Sequence, residues 1–311
     1  MVNHTHLTET DIAAIAANYL LEISHFQPIS GGDENSSFLL NAHQGDYVLT
    51  FYEKKSFTEV EHIALLLNHL AAHAYFTNQV IPAEDGSFVS VYQDKPVILK
   101  KWIHGETLRD TKQKDYRSIG RAIAELHKIP APKSLPREHS YGLRSMRASL
   151  DHQVDLEYET WLVEILSYLQ GNLPSGLPRA LIHSDLFDDN IIYLQGAFQA
   201  IIDFVDACNY YRVYDLGSVL FGACMEAGRL DYARAREVLR GYQEISALQT
   251  DERVTVQFFA VYAGAAISAW HYLNSFIRRP ADSRNDKYKL AAQRTMHIFH
   301  IPQSEFNSFL D

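Results

Sequence analysis

Cysteine is nearly missing. Only Cys208 and Cys224 occur in 311 residues, so no disulfide framework can be drawn, and a reducing compartment is expected. Long apolar runs are missing too: the longest, Phe258 to Trp270, falls short of the ~20 residues a bilayer-spanning helix needs. Met1 to Leu20 holds no basic segment leading into an apolar one, so no secretory leader is read there and a cytoplasmic location is expected. Positive charge is scarce, 28 Lys and Arg against 38 Asp and Glu for a net charge of -10, and it forms no block. That balance speaks against nucleic acid as a partner. A small anion can still bind an acidic protein where a metal ion or backbone N–H groups intervene. Repeats and low-complexity segments are absent, and 47% hydrophobic with 21% charged residues leaves no room for a long disordered tail.

What is present falls into two patterns. Over the first hundred residues a capping pattern, Thr8 to Asp11, announces a helix. "FQPISGGDENSSFLLNAHQGDYVLTFYEK" then alternates strands with turns at Gly31-Gly32 and Gly45-Asp46. A helical stretch, "FTEVEHIALLLNHLAAH", and two more strands in "SFVSVYQDKPVILKKWI" follow. From Gly105 the pattern turns helical, with Ile119, Ile123 and Leu126 on one face of "DYRSIGRAIAELHKI" and further helices in "TWLVEILSYLQG", "YDLGSVLFGACMEAG" and "RVTVQFFAVYAGAAISAWHYLNSF". The expectation is an α+β chain of two lobes, a sheet-bearing lobe over 1–102 and a mainly helical lobe over 103–311.

"LIHSDLFDDNIIYLQGAFQAIIDFVDAC" interrupts the helical half with five carboxylates, Asp185, Asp188, Asp189, Asp203 and Asp206, set among apolar residues. Like charges so close repel unless something positive or hydrogen-bonding is near. Asn190 to Leu194 and Gln199 to Phe204 read as a tight hairpin around Gly196. A hairpin brings Asn190 and Asp203 to one end, with Asp185 on the loop feeding that end, a set of hard oxygens suited to Mg²⁺. The spacing His183-x-Asp185-x-x-x-x-Asn190 followed by Asp203 matches a kinase catalytic loop and its metal-binding aspartate. Asp185 would then accept the proton of an attacking hydroxyl, while Asn190 and Asp203 hold the metal. Asp188 and Asp189 are read as loop solvation.

"HSDLFDDNIIY", "AIIDFVDACN" and "YDLGS" resemble the aminoglycoside phosphotransferase and choline kinase superfamily, and within it the bacterial homoserine kinases of that fold. "GGDENSSFLL", "GDYVLTFYEK" and "IGRAIAELH" extend the resemblance over nearly the whole chain. It implies a protein-kinase-like fold with the nucleotide between two lobes, ATP and Mg²⁺ as cofactors, and a small-molecule hydroxyl as acceptor. Residue by residue it implies Asp185 as base, Asn190 and Asp203 as metal ligands, and His183 and Asp215 as braces of the catalytic loop. Asn35, Ser36 and Ser37 would form a turn capping the phosphates, and backbone groups from Lys100 to Ile103 would hold the adenine.

Two departures stand out. The third strand of such kinases carries a basic residue, where "YVLTFYEK" has Thr50; Lys54 is expected to take over, with Lys55 as its rival or the contact coming from elsewhere, and Glu59 or Glu61 is the acidic partner. The late helix has Ser268 and Leu273 where homoserine kinases carry arginines suited to a carboxylate. Arg278, Arg279 and Arg284 lie further on and are read mainly as surface. Asp33 and Asp206 suit an acceptor bearing an amine, and Tyr210, Tyr211 and Trp270 offer aromatic faces for an ammonium. The expected activity is ATP-dependent phosphorylation of homoserine. The alternatives are choline, ethanolamine, another hydroxylated amino acid, a sugar or an aminoglycoside as acceptor, or a catalytically silent nucleotide-binding protein.

Overall fold

A computed structural model describes residues 5–29, 35–111, 114–278 and 286–309. The chain divides into two compact units, one of residues 1–104 with 202–205, the other of 105–201 with 206–311.

The smaller unit contains helix α1 (Glu9–Ala17), strands β1 (Ile23–Ile29), β2 (Asn35–Ala42) and β3 (Gly45–Tyr52), helix α2 (Phe57–Ala72), and strands β4 (Ser90–Tyr92) and β5 (Lys95–Lys101). Both helices begin on reciprocal capping boxes. Thr8 and Asp11 close the first, Ser56 and Glu59 the second, so each N-terminus has its orphan N–H groups satisfied. The strands form one antiparallel sheet in the order β1-β2-β3-β5-β4. Side chains alternate across a strand, and one face of this sheet gives Phe38, Leu40, Leu49, Phe51, Val97 and Leu99 to a core shared with Ile12, Ile15 and Tyr19. Val48, Thr50, Tyr52, Ile98 and Lys100 therefore share the opposite face. Register fixes their neighbours: Thr50 opposes Ile98, and Val48 opposes Lys100.

The larger unit opens with the short β6 (Glu106–Thr107) and helix α3 (Tyr116–Lys128). Helices α4 (Leu143–Arg147) and α5 (Leu156–Asn172) follow. Strands β7 (Arg179–Ile182), β8 (Ile191–Leu194), β9 (Ala197–Ile201) and β10 (Cys208–Tyr211) frame the acidic stretch. Helix α6 (Val213–Ala223), the two-residue strands β11 (Met225–Glu226) and β12 (Arg229–Leu230), and helices α7 (Tyr232–Gln243), α8 (Thr250–His271), α9 (Lys287–Phe299) and α10 (Gln303–Asn307) complete it. Helix α8 is buried nearly all round, which explains its apolar reading without periodicity. Among the described residues no helix is long and apolar enough to cross a membrane.

Two glycines set the packing that matters for the site. A Cβ on Gly120 of α3 would lie 1.9 Å from the Val238 carbonyl oxygen of α7, and one on Gly241 of α7 would lie 1.9 Å from the Arg117 carbonyl oxygen of α3. These backbones touch where any side chain would separate them. The contact carries His127, near the end of α3, to the Tyr242 hydroxyl of α7 at 2.9 Å.

Candidate active site

The expected hairpin exists with shorter arms. Ile191 pairs with Ile201 and Leu194 with Ala197, and the turn residues Gln195 and Gly196 both have positive φ, 52° and 82°. That pair of left-handed residues is the I′ geometry whose twist matches the strands it joins. The second arm ends at Ile201 rather than Phe204, because Phe204 to Asp206 winds into a 3₁₀ turn. Strand β6 adds a third strand against β8, which sequence periodicity misses because it is only two residues long.

The loop between β7 and β8 is held from several directions. Asp215, fully buried on α6, accepts the backbone N–H groups of His183 and Ser184, each at 2.8 Å. His127 Nε2 lies 3.1 Å from the same carboxylate. Ser184 adopts φ 69°, a left-handed conformation a non-glycine residue keeps only when its surroundings over-determine it. The Ser184 hydroxyl donates to the Asp206 carbonyl oxygen at 2.8 Å, and Ser218 Oγ accepts the Leu186 N–H at 3.1 Å. Inside the loop, the Asp185 N–H donates to His183 Nδ1 at 3.2 Å, which makes that nitrogen the acceptor and leaves the ring proton on Nε2. Asn190 Nδ2 donates to the Asp185 carbonyl oxygen at 2.9 Å and to Asp185 Oδ2 at 3.0 Å. Both amide hydrogens are thereby used, and Oδ1 is the atom left to accept or to ligate a cation. The structure thus brings together Asp185, Asn190, His183 and Asp215, and adds His127, which the closing His of "IGRAIAELH" signals only once its helix is placed.

The remaining carboxylates of the stretch find separate partners. Arg109 donates to Asp188 from Nε at 3.3 Å and Nη2 at 2.7 Å, and its Nη2 also lies 3.4 Å from Asp189. Asp188 and Asp189 are therefore clamped, not merely solvated. Asp206 accepts the Ser140 hydroxyl at 2.5 Å and the Tyr141 hydroxyl at 2.7 Å. Arg109, Ser140 and Tyr141 left no signal in the sequence, since each acts 65 or more residues from its partner.

Asp203 belongs to the smaller unit, with φ 67°. Phe204 packs edge-on against Tyr75 at 6.0 Å. Two residues of the Thr50 sheet face feel the Asp203 carboxylate. Burial raises the pKa of the Tyr52 hydroxyl and Asp203 raises it further, while burial lowers that of the Lys100 ammonium and Asp203 pulls it back up.

The other nucleotide-side expectations fall as follows. Asn35, Ser36 and Ser37 lie in β2, paired with Tyr52, Phe51 and Thr50; the turn before them, 30–34, lies outside the described residues, and Asp33 with it. Ser36 Oγ donates to Glu53 at 2.5 Å and accepts the Thr5 N–H at 2.9 Å, and Lys95 completes an ion pair with Glu53 at 2.5 Å. The Ser37 hydroxyl meets Thr50 Oγ1 at 3.2 Å. Lys54 is exposed just past β3, and Lys55 is half-buried. Glu59 spends its carboxylate on the α2 capping box and Glu61 is exposed.

On the acceptor side, Ser268 Oγ meets the Tyr158 hydroxyl at 2.9 Å and donates to the Tyr288 carbonyl at 2.7 Å, a core role. Arg278 Nη1 donates to Asn274 Oδ1 at 2.8 Å; Arg279 and Arg284 lie outside the described residues. The Tyr210 and Tyr211 rings already face a cation, the Arg179 guanidinium at 5.3 and 5.2 Å, so an external ammonium is not what they enclose.

Comparison with known proteins bears on the family and the fold. Residues 25–248 match the family model described as "Phosphotransferase enzyme family". The homoserine kinase of Sinorhizobium fredii (strain NBRC 101917 / NGR234) is 30% identical over 262 residues, covering 81% of this chain and 80% of that protein. The homoserine kinase of Phenylobacterium zucineum (strain HLK1) is 28% identical over 312 residues, covering 95% and 96%. Among solved structures, amicoumacin kinase hAmiN in complex with AMP-PNP, Ca²⁺ and Ami superposes with a TM-score of 0.73 at 16% identity, over 96% of this chain and 95% of that one, a likeness of fold. The chain belongs to the phosphotransferase enzyme family. It is a small-molecule kinase with an α+β, protein-kinase-like fold.

Proposed function

We propose that this kinase transfers the terminal phosphoryl group of ATP to the hydroxyl of homoserine, with Mg²⁺ as the divalent ion. The observation that carries the acceptor is the similarity to homoserine kinases over 81 to 95% of the chain. In this reading Asp185 orients the acceptor hydroxyl and takes its proton, with Asn190 setting the carboxylate's rotamer through the 3.0 Å bond to Oδ2. His183 and Asp215 hold the loop rigid and do no chemistry, and residues 35–37 flank the phosphates. Asn190 Oδ1 and the Asp203 carboxylate would ligate the metal; both are hard oxygens, the donor type Mg²⁺ prefers. The chemistry a divalent ion supplies when bound there is neutralisation of charge on the phosphoryl oxygens. Asp206 is the acceptor-side carboxylate of this reading, its position fixed by Ser140 and Tyr141.

A second acceptor class, an amino alcohol without a carboxylate, is favoured by one observation: Ser268, where an arginine would meet a carboxylate, is sealed in the core by Tyr158 and Tyr288. ADP release measured for homoserine, choline, ethanolamine, a sugar and an aminoglycoside separates the readings. Homoserine is expected to give the highest kcat/KM; a higher value for ethanolamine or choline would replace it. Asp185→Ala is expected to lower turnover about 10²- to 10⁴-fold, the range for a lost general base, and a near-normal rate would remove Asp185 from that role.

A further inference from the structure

We propose that Lys100 is the phosphate-binding cation of this kinase, supplied by β5 in place of the basic residue that β3 lacks. The inference rests on the reading of the chain as an ATP-dependent kinase. In protein kinases the lysine that pairs with the nucleotide phosphates stands on the third strand of the small lobe, and β3 carries Thr50 on the face turned away from the α1 core. Glu53 and Lys95 neutralise each other, and Lys54 projects into solvent beyond the strand end.

The register of β3 and β5 shows where a substitute can stand. Thr50 opposes Ile98 and Val48 opposes Lys100, so Lys100 is the diagonal neighbour of Thr50 on the same face, a separation of about 7–8 Å between Cα atoms. A lysine stem bridges most of that distance, whereas threonine reaches little beyond its own Cβ. The small side chains of Thr50 and Ser37 meet hydroxyl to hydroxyl at 3.2 Å, so neither extends a charge from that face.

Charge agrees with position. Asp203 acts electrostatically on Lys100 and on Tyr52, which lies two residues beyond Thr50 on the same face. Among the described residues Lys100 forms no salt bridge and no side-chain hydrogen bond. A half-buried ammonium without a protein partner is costly to keep for stability alone. An anionic ligand would give it a full partner. Lys101, the next residue, is exposed on the other side of the strand, so the lysine pair divides into one inward and one outward cation.

The test uses the full chain with Lys100→Met, Lys100→Arg and the double variant Thr50→Lys/Lys100→Met. Dissociation constants for ATP with magnesium and for adenosine are measured by calorimetry, alongside kcat and KM with homoserine and thermal stability. Lys100→Met is expected to weaken ATP at least tenfold while leaving adenosine within twofold, to lower kcat, and to keep or raise the Tm, because a half-buried charge is replaced by a side chain of similar length. Lys100→Arg is expected to retain most of the ATP affinity, and Thr50→Lys to restore part of what Lys100→Met loses by returning the cation to the third strand. Unchanged ATP binding in Lys100→Met overturns the assignment, as does an equal loss of ATP and adenosine or failure of that variant to fold, either of which makes Lys100 a structural residue. A wild-type chain that binds no ATP overturns the kinase reading beneath it.

Discussion

The loop between β7 and β8 in the larger unit and the third strand of the smaller one hold their polar groups in different ways. In the loop every motif residue has its partner within the motif or on one helix: Asp185 with Asn190 and His183, and the backbone of His183 and Ser184 on Asp215. On the strand the corresponding position holds Thr50, and Lys100 shares its face from the neighbouring strand. Loop chemistry depends on several atoms meeting at angles a few residues must set together. A cation for phosphates needs only to arrive, because a point charge on a flexible stem can come from either of two adjacent strands.

The largest expected effect that would break this contrast is on the loop. Asp215→Ala strands two buried N–H groups and the partner of His127; at about 1–3 kcal/mol for each group left unpaired, the urea midpoint should fall sharply and kcat with it. Normal stability would show that the loop holds its shape without that anchor. Gly120→Ala comes next, since a methyl 1.9 Å from a carbonyl oxygen must push α3 from α7 and move His127. A loss of about 1–3 kcal/mol is expected from such overpacking, read from thermal unfolding together with a fall in kcat.

Acid should separate the two units. His139 is buried with both ring nitrogens unpartnered, ringed by Tyr210, Tyr214 and Tyr262, and burial pushes its pKa down to about 3. An unfolded imidazole titrates near 6.5, so below that pH only the unfolded chain takes the proton. Stability of the larger unit should therefore fall between about pH 6.5 and 3, by up to about 1.4 kcal/mol per pH unit. Glu53 behaves otherwise: burial raises its pKa, but bonds from Lys95, Ser36 and Thr5 outweigh that and hold it below the usual carboxylate range. Its contribution is present above pH ~4.5 and is lost as pH falls through the folded value. His139→Phe should flatten the first decline and leave the second; urea midpoints across pH 3 to 8 check both. The smallest effect is expected for Arg109→Ala. Its pairs with Asp188 and Asp189 are exposed, so stability should change by less than about 1 kcal/mol, while KM for ATP measures whether clamping those carboxylates matters to the loop they share with Asn190.

Local chemistry was readable along the chain where partners are close in sequence. The capping boxes at Thr8 and Ser56, the hairpin around Gly196, and the order His183, Asp185, Asn190 all act within a few residues, where backbone geometry alone fixes who meets whom. Strand ends were read less well, since Phe204 is as apolar as a strand residue and yet belongs to a 3₁₀ turn that feeds Asp206 toward Ser140 and Tyr141. Tyr210 and Tyr211 suggested a ligand cage for the same reason: their faces are visible in the sequence, but Arg179, which covers them, is 31 and 32 positions away.

The sequence by itself determined the local pattern of the loop, because His183, Asp185 and Asn190 lie within a few residues of one another and backbone geometry sets which of them meet. Only the tertiary structure decided which charges answer which. Arg109 reaches Asp188 across 79 residues, His127 reaches Asp215 across 88, and Lys100 comes to share a face with Thr50 through a strand register that no run of residues specifies alone. Electrostatic partners are chosen by distance in space, and distance in space is set only when the sheets and helices pack.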